Sequence, residues 1–431
     1  MNILIDLAYI LGLLIYSPKI IYRVFRQGRY KVGWAQRLGK IQRTHPEKPC
    51  LWIHAVSVGE VNATRTLISA LQDHLPDYEI LLTSTTDTGL TRAKSLYDNK
   101  LTVSYFPFDF SCIMHRAFDR IRPVAILLME LEVWPNLVRL ACRRQIPVIV
   151  INGRLSDKSF PRYQKIRKLT RWMFSRVTLI LAQTEEYAQR FIDLGCLPQQ
   201  VRVTGSLKYD TAQTKADFAG TRRLAEQIRL ENERFWVAGG TGPDEEQIIL
   251  DTFKTLKQDP RFMDLRLALI PRKPERFQIV ADLIEQAGFQ FARFSQLKEH
   301  NTIADGKPPV ILGDTMGDLN KFYALASIVF VGRTLTPMGG SDMMEPAALG
   351  KCTLFGPHTF NFKQTVQDLL EVEGAIEVKN PQELLQMIQK CLANPSFSAQ
   401  IAEKGRDVIR KKQGATQKTV DAVLEFIQNP N

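Results

Sequence analysis

From residue 50 onward, short apolar runs alternate with helix-like segments, and this rhythm constrains the fold more than any other feature of the chain. CLWIHAV precedes a helix-like stretch near 60–74, EILLTST one near 88–97 and LTVSYFP one at 111–121; VAILLME, VIVIN, LILAQT and VRVTG continue the series. A strand–helix rhythm of this kind predicts a parallel, doubly wound α/β sheet. A polar, charge-rich stretch from Thr211 to Arg234 interrupts it, and the rhythm restarts at FWVAGGT, LRLALIPR, PPVILGD, SIVFVG and KCTLFGP. The simplest architecture is two Rossmann-like domains facing each other across a cleft, residues 18–210 and 235–431, joined by a linker at 211–234. Ligands of such sheets sit beyond the carboxyl ends of the strands. With 431 residues and 45% hydrophobic content, the chain is long and apolar enough for two cores.

The N-terminus departs from the rhythm. ILIDLAYILGLLIY, residues 3–16, is apolar except for Asp6 and leads into KIIYRVFRQGRYK, where cations alternate with aromatics. The apolar run is shorter than the roughly 20 residues that span a bilayer comfortably, and it lacks the basic start and small-residue cleavage site of a signal peptide. It predicts a short membrane anchor over residues 1–17 or an interfacial helix, with the basic flank keeping the following domain on the cytoplasmic side. The alternative is a helix packed on the protein's own core.

Charge follows the same division. Residues 1–210 hold 30 Lys and Arg against 17 Asp and Glu, whereas the remainder holds 27 against 28, so the net charge of +12 belongs to the first half. A one-sided basic field implies an anionic partner: nucleic acid, a membrane surface or an acidic substrate. The segment RYQKIRKLTRWMFSR, residues 162–176, is either a solvated helix face or a surface for an anionic acceptor or membrane. The six cysteines are scattered without a CxxC pair, and the histidines show no ligand spacing, which predicts reduced thiols in a cytosolic compartment and no metal site.

The strand ends carry the unusual chemistry. Those of the first half read SVGE (57–60), MELEVWP (129–135), INGRLS (151–156) and GSLKYD (205–210). Those of the second read GGTGPDEE (239–246), PRKPERF (271–277), GDTMGDL (313–319) and VGRTLTPMGGSDMMEPAALGK (331–351). Glu60 and Glu130 both follow apolar strands; a structural acid at a helix start and a catalytic carboxylate would look alike there. Glu132 shares the face of Glu130 only if that strand continues, and Trp134-Pro135 argues that it ends. Lys208 follows the VRVTG strand and could offset charge on a leaving group. Arg272 stands at a strand end with Arg276 one turn on, and an arginine fork matches phosphate geometry. Asp342 is a plausible helix N-cap, although its charge would oppose an anion bound there. No loop has a GxGxxG or GxxxxGK[ST] fingerprint, which argues against dinucleotide or ATP binding.

In order and spacing these motifs resemble the bacterial 3-deoxy-D-manno-octulosonic acid (Kdo) transferases. The likeness runs through the apolar N-terminus, HAVSVGE, ExExWP, INGRLS, GSLKYD, PRKPERF, GDTMGDL and GGSDMMEPAALGK. It implies a GT-B fold that takes Kdo from CMP-Kdo and attaches it to a lipid A precursor at the cytoplasmic face of the inner membrane, without a cofactor or metal and without a nucleic-acid partner. It implies Glu60 as general base, with Glu130 and Lys208 assisting the transition state. CMP contacts would fall on Pro271 and Arg272, on Met316, Gly317 and Asp318, and on Asp342, Met343, Met344 and Glu345. Four positions depart from the family pattern: Ser341-Asp342 replaces His-Asn, Lys273 replaces a His, and Arg333 stands where glycine is common. A UDP-sugar transferase and a non-catalytic basic binding protein are the competing readings.

Overall fold

The structure, a computed structural model, describes residues 2–27, 32–97, 100–216, 218–300 and 306–428. The chain forms two compact units, Met1–Thr211 with Gln413–Asn431, and Ala212–Lys412. The first unit is built on a seven-stranded parallel sheet of β1 (Cys50–His54), β2 (Glu79–Ser84), β3 (Thr102–Tyr105), β4 (Pro123–Met129), β5 (Val148–Gly153), β6 (Leu179–Ala182) and β7 (Val201–Val203), in the order β3-β2-β1-β4-β5-β6-β7. Every residue of β1, β2 and β5 is buried, as expected for parallel strands covered by helices on both faces. One face packs on Trp52, Phe118, Phe174 and Phe191, the other on Leu67, Leu71, Val420 and Val423. His54 lies in this core, stacked on Phe106 with ring centroids 3.8 Å apart. Burial drives its pKa down to about 3, so it is a neutral core residue.

The second unit repeats the plan with β8 (Phe235–Thr241), β9 (Arg266–Pro271), β10 (Phe291–Arg293), β11 (Val310–Leu312), β12 (Ile328–Val331), β13 (Cys352–Phe355) and β14 (Ile376–Glu377), in the order β10-β11-β9-β8-β12-β13-β14. The charge-rich stretch at 211–234 is not featureless: it contains the helix Thr221–Gln227, whose Leu224 is buried. The last helix, Ala415–Gln428, belongs to the first unit although it follows the second in sequence. Its Val420 and Val423 complete the core around Leu67 and Leu71. Asp210 caps it from afar, accepting the Gly414 N–H at 2.7 Å and the Thr416 N–H.

The apolar N-terminus is one helix, Asn2–Gln27, which runs past residue 17 into the basic flank; residues 28–31 of that flank lie outside the described residues. Among the described residues no helix is long and apolar enough to cross a membrane. Asp6 points into the first unit, accepting the Ser111 N–H and the Asn136 amide, each at 3.0 Å, while the Tyr9 hydroxyl donates to Asp109 at 2.8 Å. Asp109 in turn accepts the N–H groups of Asn136 and Leu137 at the start of the helix Pro135–Arg143. Beyond these ties the N-terminal helix leaves Leu7, Ile10, Leu11, Leu13, Leu14, Ile15 and Tyr16 exposed.

Capping acids typically contribute about 0.5–2 kcal/mol. Asp210→Ala is therefore expected to lower stability by roughly 1 kcal/mol and to speed amide exchange selectively across 413–428. Unchanged exchange in that segment would show that core packing alone holds the last helix.

Candidate active site

A parallel sheet has one place where neighbouring strands connect in opposite directions, and ligands gather beyond the strand ends there. In the first unit this switch point lies between β1 and β4, and Glu60 and Glu130 follow those two strands. β1 stops at His54, Ser57 takes the N-cap of the helix Val58–Ala63, and Glu60 occupies its first turn. The Glu60 carboxylate accepts the Val56 N–H at 2.9 Å and the Ser57 hydroxyl at 2.8 Å. It is thus both a helix-start acid and a carboxylate held at the switch point. Its pKa is raised, chiefly by burial and further by Glu130, against the lowering pull of the Val56 and Ser57 donors.

Beyond β4 the chain folds back sharply. Glu130 adopts the left-handed conformation at φ 54°, its N–H bonds to the Ile151 carbonyl, and Glu132 N–H reaches back to Met129. The strand therefore ends, as Trp134-Pro135 indicates, yet the turn still returns Glu132 to the neighbourhood of Glu60. Burial first, then the charge of Glu60, push the Glu132 carboxyl up to about 7, with Trp134 Nε1 donating to it at 3.2 Å. Sequence reasoning passed over this third acid because period-two strand logic does not describe a left-handed turn. The alternating acids in MELE were the available signal. Tyr163, in the basic segment, lies in the field of Glu132, which together with burial raises its phenol pKa. Lys208 sits on the four-residue helix Leu207–Asp210, with Nζ 3.9 Å from Glu130 Oε1.

In the second unit the switch point falls between β8 and β12. Arg272 follows β9, its N–H bonded to the Thr241 carbonyl. The loop after β12 turns on Gly339 and Gly340, both at φ +87°, and leads to Asp342 and the short helix Met344–Ala348. Asp342 caps this helix by accepting the Met344 N–H at 2.9 Å. Glu345 is pushed up to about 7 by burial and by Asp342, with Arg272 pulling the other way. Those couplings bring Arg272, Asp342 and Glu345 into one neighbourhood. Met343 and Met344 are core side chains, so only their backbone atoms are available to a ligand, and Pro271 is buried as well. Met316 is exposed and Gly317 takes φ +88°. The carboxylate of Asp318, by contrast, is taken up by Lys298, Lys321 and Thr315 at 2.6, 2.8 and 2.7 Å.

One expectation changes here, and one residue is added. The Arg276 fork is engaged on Glu246, at 3.1 and 2.6 Å, and so braces the fold instead of offering a free phosphate clamp. Glu245, unremarked in the sequence, is fully buried and accepts the N–H groups of Arg333, Thr334 and Leu335, fixing the loop after β12. Arg333 has φ +62°, the conformation that explains a preference for glycine there. Its bond to Glu245 holds the larger residue in that strained geometry.

The sequence pattern described as 3-deoxy-D-manno-octulosonic-acid transferase (kdotransferase) matches residues 32–211. A 3-deoxy-D-manno-octulosonic acid transferase from Haemophilus influenzae is 33% identical over 402 residues, 93% of this chain and 92% of the relative. One from Bordetella pertussis is 31% identical over 401 residues, covering 88% and 87% of the two chains. This chain belongs to the 3-deoxy-D-manno-octulosonic acid transferase family. In fold alone, it is similar to a putative UDP-N-acetylglucosamine 2-epimerase from Listeria monocytogenes, with a TM-score of 0.57 and 12% identity over 89% of this chain and 98% of that one. The Kdo transferase chain thus contains two parallel α/β units, each with charged groups at its switch point.

Packing three acids together has a cost that pH exposes. Glu132 titrates from 4.5 when unfolded to about 7 when folded, so folding takes up a proton and stability falls as pH rises through that window. Glu132→Gln keeps an acceptor for Trp134 and removes the charge. It is expected to stabilise the protein by roughly 2 kcal/mol at pH 8 and by almost nothing at pH 4.5. Thermal unfolding across that range checks this, and a pH-independent difference would contradict it.

Proposed function

We propose that the protein is an inverting glycosyltransferase that moves Kdo from CMP-Kdo to a lipid A precursor in lipopolysaccharide core assembly. Family membership supports Kdo transfer, and the observation that carries the mechanism is Glu60, a carboxylate of raised proton affinity fixed by two hydrogen bonds at the switch point of the first sheet. A base tuned toward neutrality suits removal of a hydroxyl proton at physiological pH. In this mechanism Glu60 takes the proton from the acceptor hydroxyl as that oxygen attacks the anomeric carbon of Kdo. The new C–O bond forms while the bond from that carbon to the CMP phosphate oxygen breaks, CMP leaves with the electron pair, and the carbon inverts. Lys208, beside Glu130, offsets the negative charge of the departing phosphate.

The second unit supplies the donor site in this reading. Arg272 offers a cation, and Glu345, whose proton affinity is raised by burial and by Asp342, offers an O–H donor when protonated, next to the N-terminus of Met344–Ala348. The carboxylate of Asp318, already matched by two lysines, orders the Met316–Gly317 turn, leaving its exposed backbone to contact the nucleotide.

A lipid acceptor places the protein at a membrane, and we assign it to the cytoplasmic face of the inner membrane. The N-terminal helix is then an interfacial anchor: Asp6 and Tyr9 tie it to the first unit while Leu7, Ile10, Leu11 and Leu14 face outward at helical spacing. The basic segment adds Arg162, Lys165, Arg167, Lys168 and Arg171, all exposed, with Ile166 and Leu169 exposed among them. That mixture suits anionic headgroups more than nucleic acid.

Glu60→Gln is expected to reduce Kdo transfer to a tetra-acylated lipid A precursor by roughly 10²–10⁴, and full activity would remove Glu60 as the base. CMP, and not UDP, is expected to raise the unfolding temperature; the reverse preference would favour a UDP-sugar donor. Leu11→Asp with Leu14→Asp is expected to abolish sedimentation with anionic vesicles while sparing transfer to detergent-dispersed acceptor. Unchanged sedimentation would locate the membrane contact elsewhere.

A further inference from the structure

The INGRLS motif has no part in the mechanism so far, yet its Asn152 stands between two of the groups that do. The β5–β6 pairing shifts register between Val150 and Gly153, and Asn152 adopts φ 54° in that irregular step. Bulged strand ends beside active sites commonly re-aim a side chain in this way. Asn152 is 1% exposed. Its carbonyl is held by Gln183 Nε2 at 3.0 Å, and the preceding residue, Ile151, accepts the Glu130 N–H at 3.0 Å.

The side chain reaches across to the helix Leu207–Asp210. A helix start leaves N–H groups without partners, normally satisfied by the N-cap side chain. Here Ser206, at the N-cap, makes no such bond. Asn152 Oδ1 instead accepts the Leu207 N–H at 3.1 Å, a buried contact 55 residues away in sequence. Lys208 is the next residue along. At its other end the same helix is fixed by Asp210 and by the Tyr209 carbonyl, which accepts from Gln413 Nε2 at 3.0 Å. Four residues have too few internal hydrogen bonds to hold their own geometry, so these outside contacts define where Lys208 stands.

We propose that Asn152 is a positioning residue that holds Lys208 against Glu130, by capping the Leu207–Asp210 helix from the end of β5. Its left-handed backbone alone would be met by glycine; the cap requires the side chain. The inference rests on the reading of Lys208 as a participant in transfer.

A double-mutant cycle separates the two. Asn152→Gly keeps the backbone conformation and removes the cap. It is expected to lower kcat for Kdo transfer about tenfold with KM for CMP-Kdo within twofold, and to cause less than a twofold further loss when Lys208 is already alanine. Amide exchange across 206–211 should quicken in the single variant. An equal loss in both backgrounds, or wild-type kcat in Asn152→Gly, overturns the positioning role while leaving Lys208 in place. An unimpaired Lys208→Ala overturns the underlying reading and the proposal with it. If Asn152→Gly does not fold, Asn152→Asp carries the test, because it keeps an oxygen on the Leu207 N–H. It is expected to retain kcat within threefold, and a tenfold loss in the folded variant would overturn the proposal.

Discussion

Backbone N–H groups left over where parallel strands stop and helices start must find acceptors, and the rest of this structure depends on where those acceptors come from. Many come from side chains, most of them distant in sequence. Glu60 serves Val56, Glu245 serves residues 333–335, Asp109 serves 136 and 137, Asp6 serves 111, Asn152 serves 207 and Asp210 serves 414 and 416. Those of Glu60, Glu245 and Asn152 also hold an acid or amide close to a strand end. The charged character of the site is to that extent a consequence of how the sheets terminate.

The same device sets the proton affinities. A carboxylate that accepts two or three N–H bonds would ordinarily be a stronger acid, yet burial outweighs those bonds at Glu60 and Glu245. Glu132, with only the Trp134 indole as donor and two acids nearby, rises further, to about 7. At Glu60 and Glu132, which share one neighbourhood, burial raises the proton affinity first, and donor supply and neighbouring charge modulate it. A base whose proton affinity is raised by burial and by a neighbouring acid suits the proton removal that the proposed transfer requires.

Much of this was legible in the sequence, for physical reasons that also mark where legibility stops. Mostly apolar runs such as ILLTS and VAILLM are the signature of strands covered on both faces, so the two parallel sheets could be read directly. Glu130 and Arg272 were visible because they directly follow such runs, and Glu60 because only a short turn separates it from one. Glu132 and Asn152 depend on left-handed turns, which periodicity does not encode, and Arg276 was misread because its partner Glu246 lies 30 residues away in sequence. The return of Ala415–Gln428 to the first unit is likewise a matter of which core has room for Val420 and Val423, which no local pattern states.

Asp6 shows how one residue resolves an ambiguity that hydropathy leaves open. In an otherwise apolar run it would be costly at the centre of a bilayer, and as a random surface charge it would be inert. Here it caps the helix Ser111–Ile121 and holds the Asn136 amide, beside the Asp109 cap on the following helix. That contact fixes the rotation of the N-terminal helix, and a fixed rotation determines which leucines are left outside. On the proposed reading, a helix tied to its unit through Asp6 and Tyr9 and carrying exposed apolar side chains beyond them lies on a membrane surface. The acid that interrupts the hydrophobic run is therefore what gives the exposed apolar face a defined orientation, and on the proposed reading it presents the carboxylate-bearing unit to a lipid substrate at a fixed distance from the surface.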